Sequence, residues 1–209
     1  MNNLKTYINK VPGWVYTIAV FGFLYLTGLH TEAIGQVQRA LLATGLVQPT
    51  IPEATTGAVT LANPSETASS VYANDFTLQD MEGNQIQFSS LKGKVVFLNI
   101  WATWCPPCIA EMPSIQKLYD RMKHNPDVAF VMLSVDQAGM KKVKPFINKK
   151  GYTFPVYIPA NGLPQAFQTQ SIPTTFFTGK TGKIEMRHEG MADYSSKGVE
   201  EFLVKLSKE

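Results

Sequence analysis

Cysteine is almost absent from this chain, with two in 209 residues, and histidine is nearly as scarce, with three. A metal site built on thiolates needs two to four ligands at closing distance. No second cysteine pair exists to complete one, and His30, His124 and His188 are scattered. Charge of one sign is also scarce. The formal net charge is +3, and the lysines are spread out or accompanied by acids, so no dense basic patch points to nucleic acid. Internal repeats and a second hydrophobic core are missing as well. At 44% hydrophobic, the chain has the material for one domain with a proper core plus an appendage.

The appendage is N-terminal. Residues 11–29 (VPGWVYTIAVFGFLYLTGL) carry no charge, and a helix of that length can just cross a hydrocarbon core of about 30 Å. Lys5 and Lys10 precede the run, which places the N-terminus in the cytoplasm, and Trp14 and Tyr16 sit where an interfacial aromatic belt forms. A cleaved signal peptide is the alternative, but no small-x-small cleavage site comes directly after Leu29. Either reading exports the remainder of the chain. The expected organisation is a cytoplasmic N-terminus and anchor over 1–30 and an amphipathic juxtamembrane helix over 31–47, from Ile34, Val37, Leu41 and Leu42. A flexible tether rich in Pro, Thr, Ser and Ala occupies 48–70, and one domain occupies 71–209.

Within that domain, NDFTLQDMEGNQIQF reads as a hairpin turning at EGN, and KVVFLNIWA as a strand covered on both faces. A helix beginning at the cysteines presents Ile115, Leu118, Tyr119 and Met122 on one stripe. VAFVMLSVD supplies a second buried strand, so strand, helix and strand make a right-handed parallel βαβ unit. KKVKPFINKKG predicts a helix with Pro145 near its first turn and Gly151 closing it, and GLPQAFQT a further helical segment. TTFFTGKTGKIEMRHEG is an antiparallel hairpin, and the last helix is capped by Ser195 or Ser196. The expected architecture is α/β, a mixed sheet with helices on both sides.

The two cysteines stand in WCPPC, at Cys105 and Cys108. Such a pair can cycle between dithiol and disulfide, share a metal, or sit inert. A predicted strand-to-helix junction argues against inertness, because free N–H groups and the helix dipole favour a thiolate there. An exporting N-terminus adds an oxidising compartment, so redox cycling is the favoured chemistry.

FLNIWATWCPPCIAEMP (residues 97–113), SVD at 134–136 and SIPTTFF at 171–177 together resemble the TlpA/ResA-like family of membrane-anchored thiol-disulfide oxidoreductases, with a thioredoxin-like fold over roughly residues 72–209. The resemblance implies that Cys105 is the exposed attacking thiol and Cys108 the buried resolving thiol. It also implies that Glu111, one turn beyond Cys108, relays a proton to or from it with its pKa raised by partial burial. Asn99 stands where thioredoxins carry a buried aspartate. Pro173 is implied to be cis and to lie against the cysteine pair, with Ile172 offering backbone groups to a substrate strand. Pro106 and Pro107 contribute no N–H groups, which leaves the Cys105 thiolate fewer donors and makes the dithiol a better reductant. Trp104 is expected to shape the exposed surface beside Cys105, and Trp101 to be core.

The implied activity is reduction of disulfides in exported proteins, with no cofactor beyond the redox-active Cys105–Cys108 disulfide. Cytochrome c maturation is one such task in the family. With one span at most, recycling requires a separate transmembrane electron donor. Three alternatives remain: a disulfide-forming oxidant, a copper metallochaperone using the two thiols with His188, and a peroxidase, for which the paired cysteines are superfluous. Otherwise His188 is a satisfied strand residue.

Overall fold

A computed structural model describes residues 12–26 and 75–209. Helix α1, Gly13–Leu26, is 14 residues long. At about 1.5 Å per residue it spans roughly 21 Å, less than a hydrocarbon core of about 30 Å. Among the described residues no helix is long and apolar enough to cross a membrane. Trp14, Ile18, Val20, Phe21, Phe23 and Tyr25 are all exposed. The juxtamembrane helix expected at 31–47 and the tether at 48–70 lie outside the described residues.

The remaining strands form one seven-stranded sheet. They are β1 (Thr77–Asp80), β2 (Gln85–Gln87), β3 (Val95–Trp101), β4 (Val128–Ser134), β5 (Val156–Pro159), β6 (Thr174–Thr178) and β7 (Ile184–Glu189), in the spatial order β2-β1-β5-β4-β3-β6-β7. β3, β4 and β5 run parallel, and the other pairings are antiparallel. The sheet is mixed for a chemical reason: parallel neighbours need a long crossover, while β1-β2 and β6-β7 close through short turns. Asp80 holds the first of these turns by accepting from the N–H groups of Glu82 (2.9 Å) and Asn84 (2.8 Å).

All seven residues of β3 are buried, as a strand covered on both faces requires. Its side chains alternate between two cores. Val95, Phe97 and Trp101 join a cluster that includes residues of α2 (Pro106–Met122), α3 (Met140–Lys150) and α4 (Lys197–Leu206). Val96, Leu98 and Ile100 join Phe76, Phe88, Val131, Leu133, Phe167 and Phe176 on the other face, where no α-helical residue takes part among those described. Helices on both sides, as expected from element order, are therefore not what forms. The crossovers β3-α2-β4 and β4-α3-β5 step in the same direction along the sheet, so right-handed connections place both helices on one face. Aromatic side chains from two short 3₁₀ turns, Phe88–Leu91 and Gln165–Phe167, cover the other face.

Three local expectations change with it. Pro145 lies in the second turn of α3, which starts at Met140, while Gly151 closes the helix in the left-handed conformation at φ +71°. GLPQAFQT contracts to the three-residue 3₁₀ turn after Pro164. Ser196 occupies the N-cap of α4 but its side chain makes no capping bond.

Phe97 packs against Phe130, Phe177 and Tyr194 with ring centroids 5.1–5.3 Å apart. Phe97→Ala should destabilise the domain by roughly 3–5 kcal/mol, read from urea denaturation.

Candidate active site

β3 ends at Trp101, and the chain turns through Ala102, Thr103 and Trp104 into α2. The neighbouring strand holds that turn. Asp136, buried just past β4, accepts from the Thr103 backbone N–H at 2.8 Å and the Thr103 hydroxyl at 2.7 Å, while the Ser134 hydroxyl donates to the same carboxylate at 2.8 Å. The Val135 N–H donates to the Trp101 carbonyl at 2.9 Å. Four hydrogen bonds thus set where α2 begins.

Cys105 is the N-cap of α2, in extended backbone, and is joined to Cys108 by a disulfide. Pro106 and Pro107 take the first two helical positions, where an N–H has no intrahelical partner in any case. Of the first three positions, only Cys108 has an amide hydrogen to offer, and it donates to the Cys105 sulfur at 3.2 Å. The Ile172 carbonyl oxygen lies 3.7 Å from the same sulfur. The Ile172-Pro173 bond is cis, Pro173 is buried, and its carbonyl accepts from the Gly190 N–H at 2.9 Å.

Exposure differs from expectation at the attacking position. Cys105 is only 3% exposed and Cys108 fully buried, while Trp104 is 54% exposed. The Cys108 amide and the Ile172 carbonyl lie against the Cys105 sulfur in the disulfide form, and the neighbouring indole is what meets solvent. Pro106, Pro107 and Ile172 are half-buried around it. Trp101 is fully buried, as expected of a core residue.

Glu111 is fully rather than partly buried. Its Oε1 accepts from Asn99 Nδ2 at 2.8 Å and its Oε2 from the Ala192 N–H at 3.2 Å. Loss of water drives its pKa up to about 8, against the opposing pull of those two hydrogen bonds. Asn99 Nδ2 also donates to Thr175 Oγ1 at 2.9 Å, and that oxygen accepts from the Tyr194 hydroxyl at 2.7 Å. Burial, and then the nearby Glu111, raise the Tyr194 pKa well above the usual tyrosine value. Tyr194 N–H and the Ser114 hydroxyl, 3.1 Å apart, tie this segment to α2.

The structure thus brings the cysteine pair against Ile172 and Pro173, with Trp104, Pro106 and Pro107 at the rim and Glu111 one turn along α2. It also places Asn99, singled out in the sequence as standing where thioredoxins carry an aspartate, among Thr103, Asp136, Thr175 and Tyr194, which motif reading did not assign. SVD and SIPTTFF contain Asp136 and Thr175, but Tyr194 lies 83 positions after Glu111 in a loop that carries no motif. His188 stands across from Thr175 on β7, and its Nε2 is buried without a partner, so the strand leaves it unsatisfied on that side. Burial lowers its pKa. Among the described residues no three His, Cys, Asp or Glu side chains gather in a way that could hold a metal ion.

The AhpC/TSA family model matches residues 71–187. The thiol-disulfide oxidoreductase ResA of Bacillus thuringiensis subsp. konkukian is 35% identical over 136 residues, which cover 65% of this chain and 76% of that protein. Among solved structures, StoA from Bacillus subtilis is similar with a TM-score of 0.52 at 28% identity, covering 65% of this chain and 96% of its own. A thioredoxin-family thiol:disulfide interchange protein from Chlorobium tepidum TLS is similar with a TM-score of 0.54 at 26% identity, covering 70% and 99%.

Because folding raises the proton affinity of Glu111, the native state binds more protons than the unfolded one between about pH 4.5 and about pH 8. Native stability therefore falls as pH rises through that window. Glu111→Gln removes this dependence. The stability of E111Q relative to the parent, from urea titrations of the disulfide form, should climb across the window by roughly 3–5 kcal/mol.

Proposed function

This chain belongs to the AhpC/TSA family and, within it, to the ResA-like thiol-disulfide oxidoreductases; on that footing we propose that it reduces disulfides of exported proteins while held to a membrane by its N-terminal segment. The observation that carries the direction is the start of α2. Two of its first three residues lack an amide hydrogen, so a thiolate on Cys105 has one backbone donor from that turn, Cys108 N–H, in place of three. A thiolate with less support leaves the dithiol less stable relative to the disulfide, and such a pair gives its electrons away.

In the reaction, the Cys105 thiolate attacks one sulfur of the client disulfide. A Cys105–client bond forms, the client S–S bond breaks, and the departing client thiolate takes up a proton. Cys108 then loses its proton and attacks the Cys105 sulfur. The Cys105–Cys108 bond forms, and the second client thiolate leaves and is protonated. Two electrons and two protons pass to the client. Glu111, buried one turn beyond Cys108 with a proton affinity near neutrality, is the acceptor for the Cys108 proton. Ile172 and cis-Pro173 offer the client's backbone an edge to pair with, and the exposed Trp104 indole supplies apolar contact.

The N-terminal run supports tethering through its composition, since residues 11–29 carry no charge. Placed outside the membrane, the pair needs a separate transmembrane donor to re-reduce it. Clients are exported proteins with accessible disulfides, including the paired cysteines of apocytochromes c before haem attachment. The site asks for no cofactor beyond the two thiols.

Equilibrating the full chain in detergent with dithiothreitol buffers, then counting free thiols by alkylation and mass, gives the reduction potential. A value below about −220 mV is expected, and one near about −120 mV would make the pair an oxidant. With the same preparation, Cys105→Ala should abolish disulfide reduction. Cys108→Ala should accumulate mixed disulfides with its clients, and Glu111→Gln should slow turnover and flatten its pH profile; an unchanged profile removes Glu111 from the mechanism.

A further inference from the structure

Asn99 is placed so that a single side chain faces two groups of changeable hydrogen-bonding sense. Its Nδ2 donates to Glu111 Oε1 and to Thr175 Oγ1, while its Oδ1 is buried with no partner. Glu111 Oε2 already faces a fixed donor, the Ala192 N–H, and Thr175 Oγ1 already accepts from the Tyr194 hydroxyl. This arrangement suits a carboxylate, which accepts only. It does not suit the protonated acid. Once Glu111 holds a proton, its O–H meets a donor whichever oxygen carries it, Asn99 Nδ2 at Oε1 or the Ala192 N–H at Oε2, and the Thr175 hydroxyl hydrogen, with two donors aimed at its oxygen, lacks an acceptor in either state. Rotating the Asn99 amide end for end resolves both shortages. Oδ1 then accepts from the Glu111 O–H and from the Thr175 O–H, while Tyr194 keeps donating to Thr175. The far side of the amide bonds to nothing in the first orientation, so rotation leaves one end unsatisfied there either way.

We propose that Asn99 is a positioning residue whose side-chain amide turns over with the protonation of Glu111, holding the carboxylate by its N–H and the acid by its C=O, with Thr175 and Tyr194 as the rest of the relay. The proposal rests on Glu111 exchanging a proton with Cys108 in the reductase cycle. It explains the residue type: an amide offers a donor face and an acceptor face of equal size, whereas an aspartate in this place would oppose the ionised Glu111. The relay lets the carboxyl stay in one position through both halves of the thiol cycle. The titratable groups around it are Tyr194 from the loop after β7, His188 on β7 in register with Thr175, and Cys108 on α2 itself.

The test is infrared difference spectroscopy of the full-length disulfide form in detergent over a pH titration, with the Glu111 carboxyl band identified by its loss in Glu111→Gln. In Asn99→Leu the band of the protonated acid should move to higher frequency, because its acceptor is gone. The midpoint of the titration should change by less than about threefold in proton affinity, because donor and acceptor support are lost together. An unmoved band, or a rise of about tenfold or more in affinity, overturns the proposal, since the amide would then serve the carboxylate alone. Thr175→Val is the milder variant if Asn99→Leu does not fold. It should move the band the same way by a smaller amount, and no movement there also overturns the relay. These readings need no client. They stay distinct from the turnover of Glu111→Gln, which decides whether the relay serves catalysis.

Discussion

A carboxyl group taken wholly out of water needs donors brought to it, and the elements that bring them to Glu111 are the same ones that build the site. Asn99 comes from the central strand, Ala192 from the loop after β7, and Tyr194 reaches in through Thr175 of β6. That loop also binds the Pro173 carbonyl through Gly190 and the Ser114 hydroxyl through Tyr194. Moving any of these parts leaves a buried polar group unpaired, which costs about 1–3 kcal/mol and more for a charge. The cysteine helix, the cis-proline turn and the last hairpin are therefore held as a unit by one acid.

A second constraint acts from the opposite strand. Asp136 gathers three donors, two of them from Thr103, and so fixes where β3 hands over to α2. The prolines at the helix start depend on that registration. Shifted two residues along the helix, the second would remove the Ile109 amide, the first that donates inside the helix, to the Cys105 carbonyl at 3.1 Å. Position and chemistry are thus set by separate devices: a carboxylate clamp for the turn, and a missing pair of amides for the sulfur.

Much of the fold can be read directly along the chain. KVVFLNIWA is apolar enough to declare a strand covered on both faces, and the apolar spacing after the cysteines declares the helix next to it. The first hairpin shows itself through EGN, and Gly151 through its position at the end of a lysine-rich helix. Hidden from such reading is whatever depends on contacts distant in sequence. The placement of α2, α3 and α4 on one face comes from the spatial strand order, which no local pattern encodes. Tyr194 and Thr175 become partners of Asn99 only because β6 lies beside β3, in a register pairing Asn99 with Thr175. The full burial of Glu111 has the same origin, since an acid one turn into a helix ordinarily faces solvent. Cys105, exposed by the resemblance, is instead buried, with the Ile172 carbonyl and the Cys108 amide at its sulfur.

That burial sets the company the disulfide can keep. A sulfur with 3% of its residue exposed, flanked by an indole that is largely open, presents little to a small thiol diffusing past. A folded partner that first spreads over Trp104 can hold itself in place long enough for in-line approach to the sulfur. Under the proposed function, exchange with low-molecular-weight thiols would then be slow compared with exchange inside a docked complex. Under that function, the oxidation state of the pair would then follow which proteins dock and how often, a kinetic insulation from surroundings with which it need not be at equilibrium.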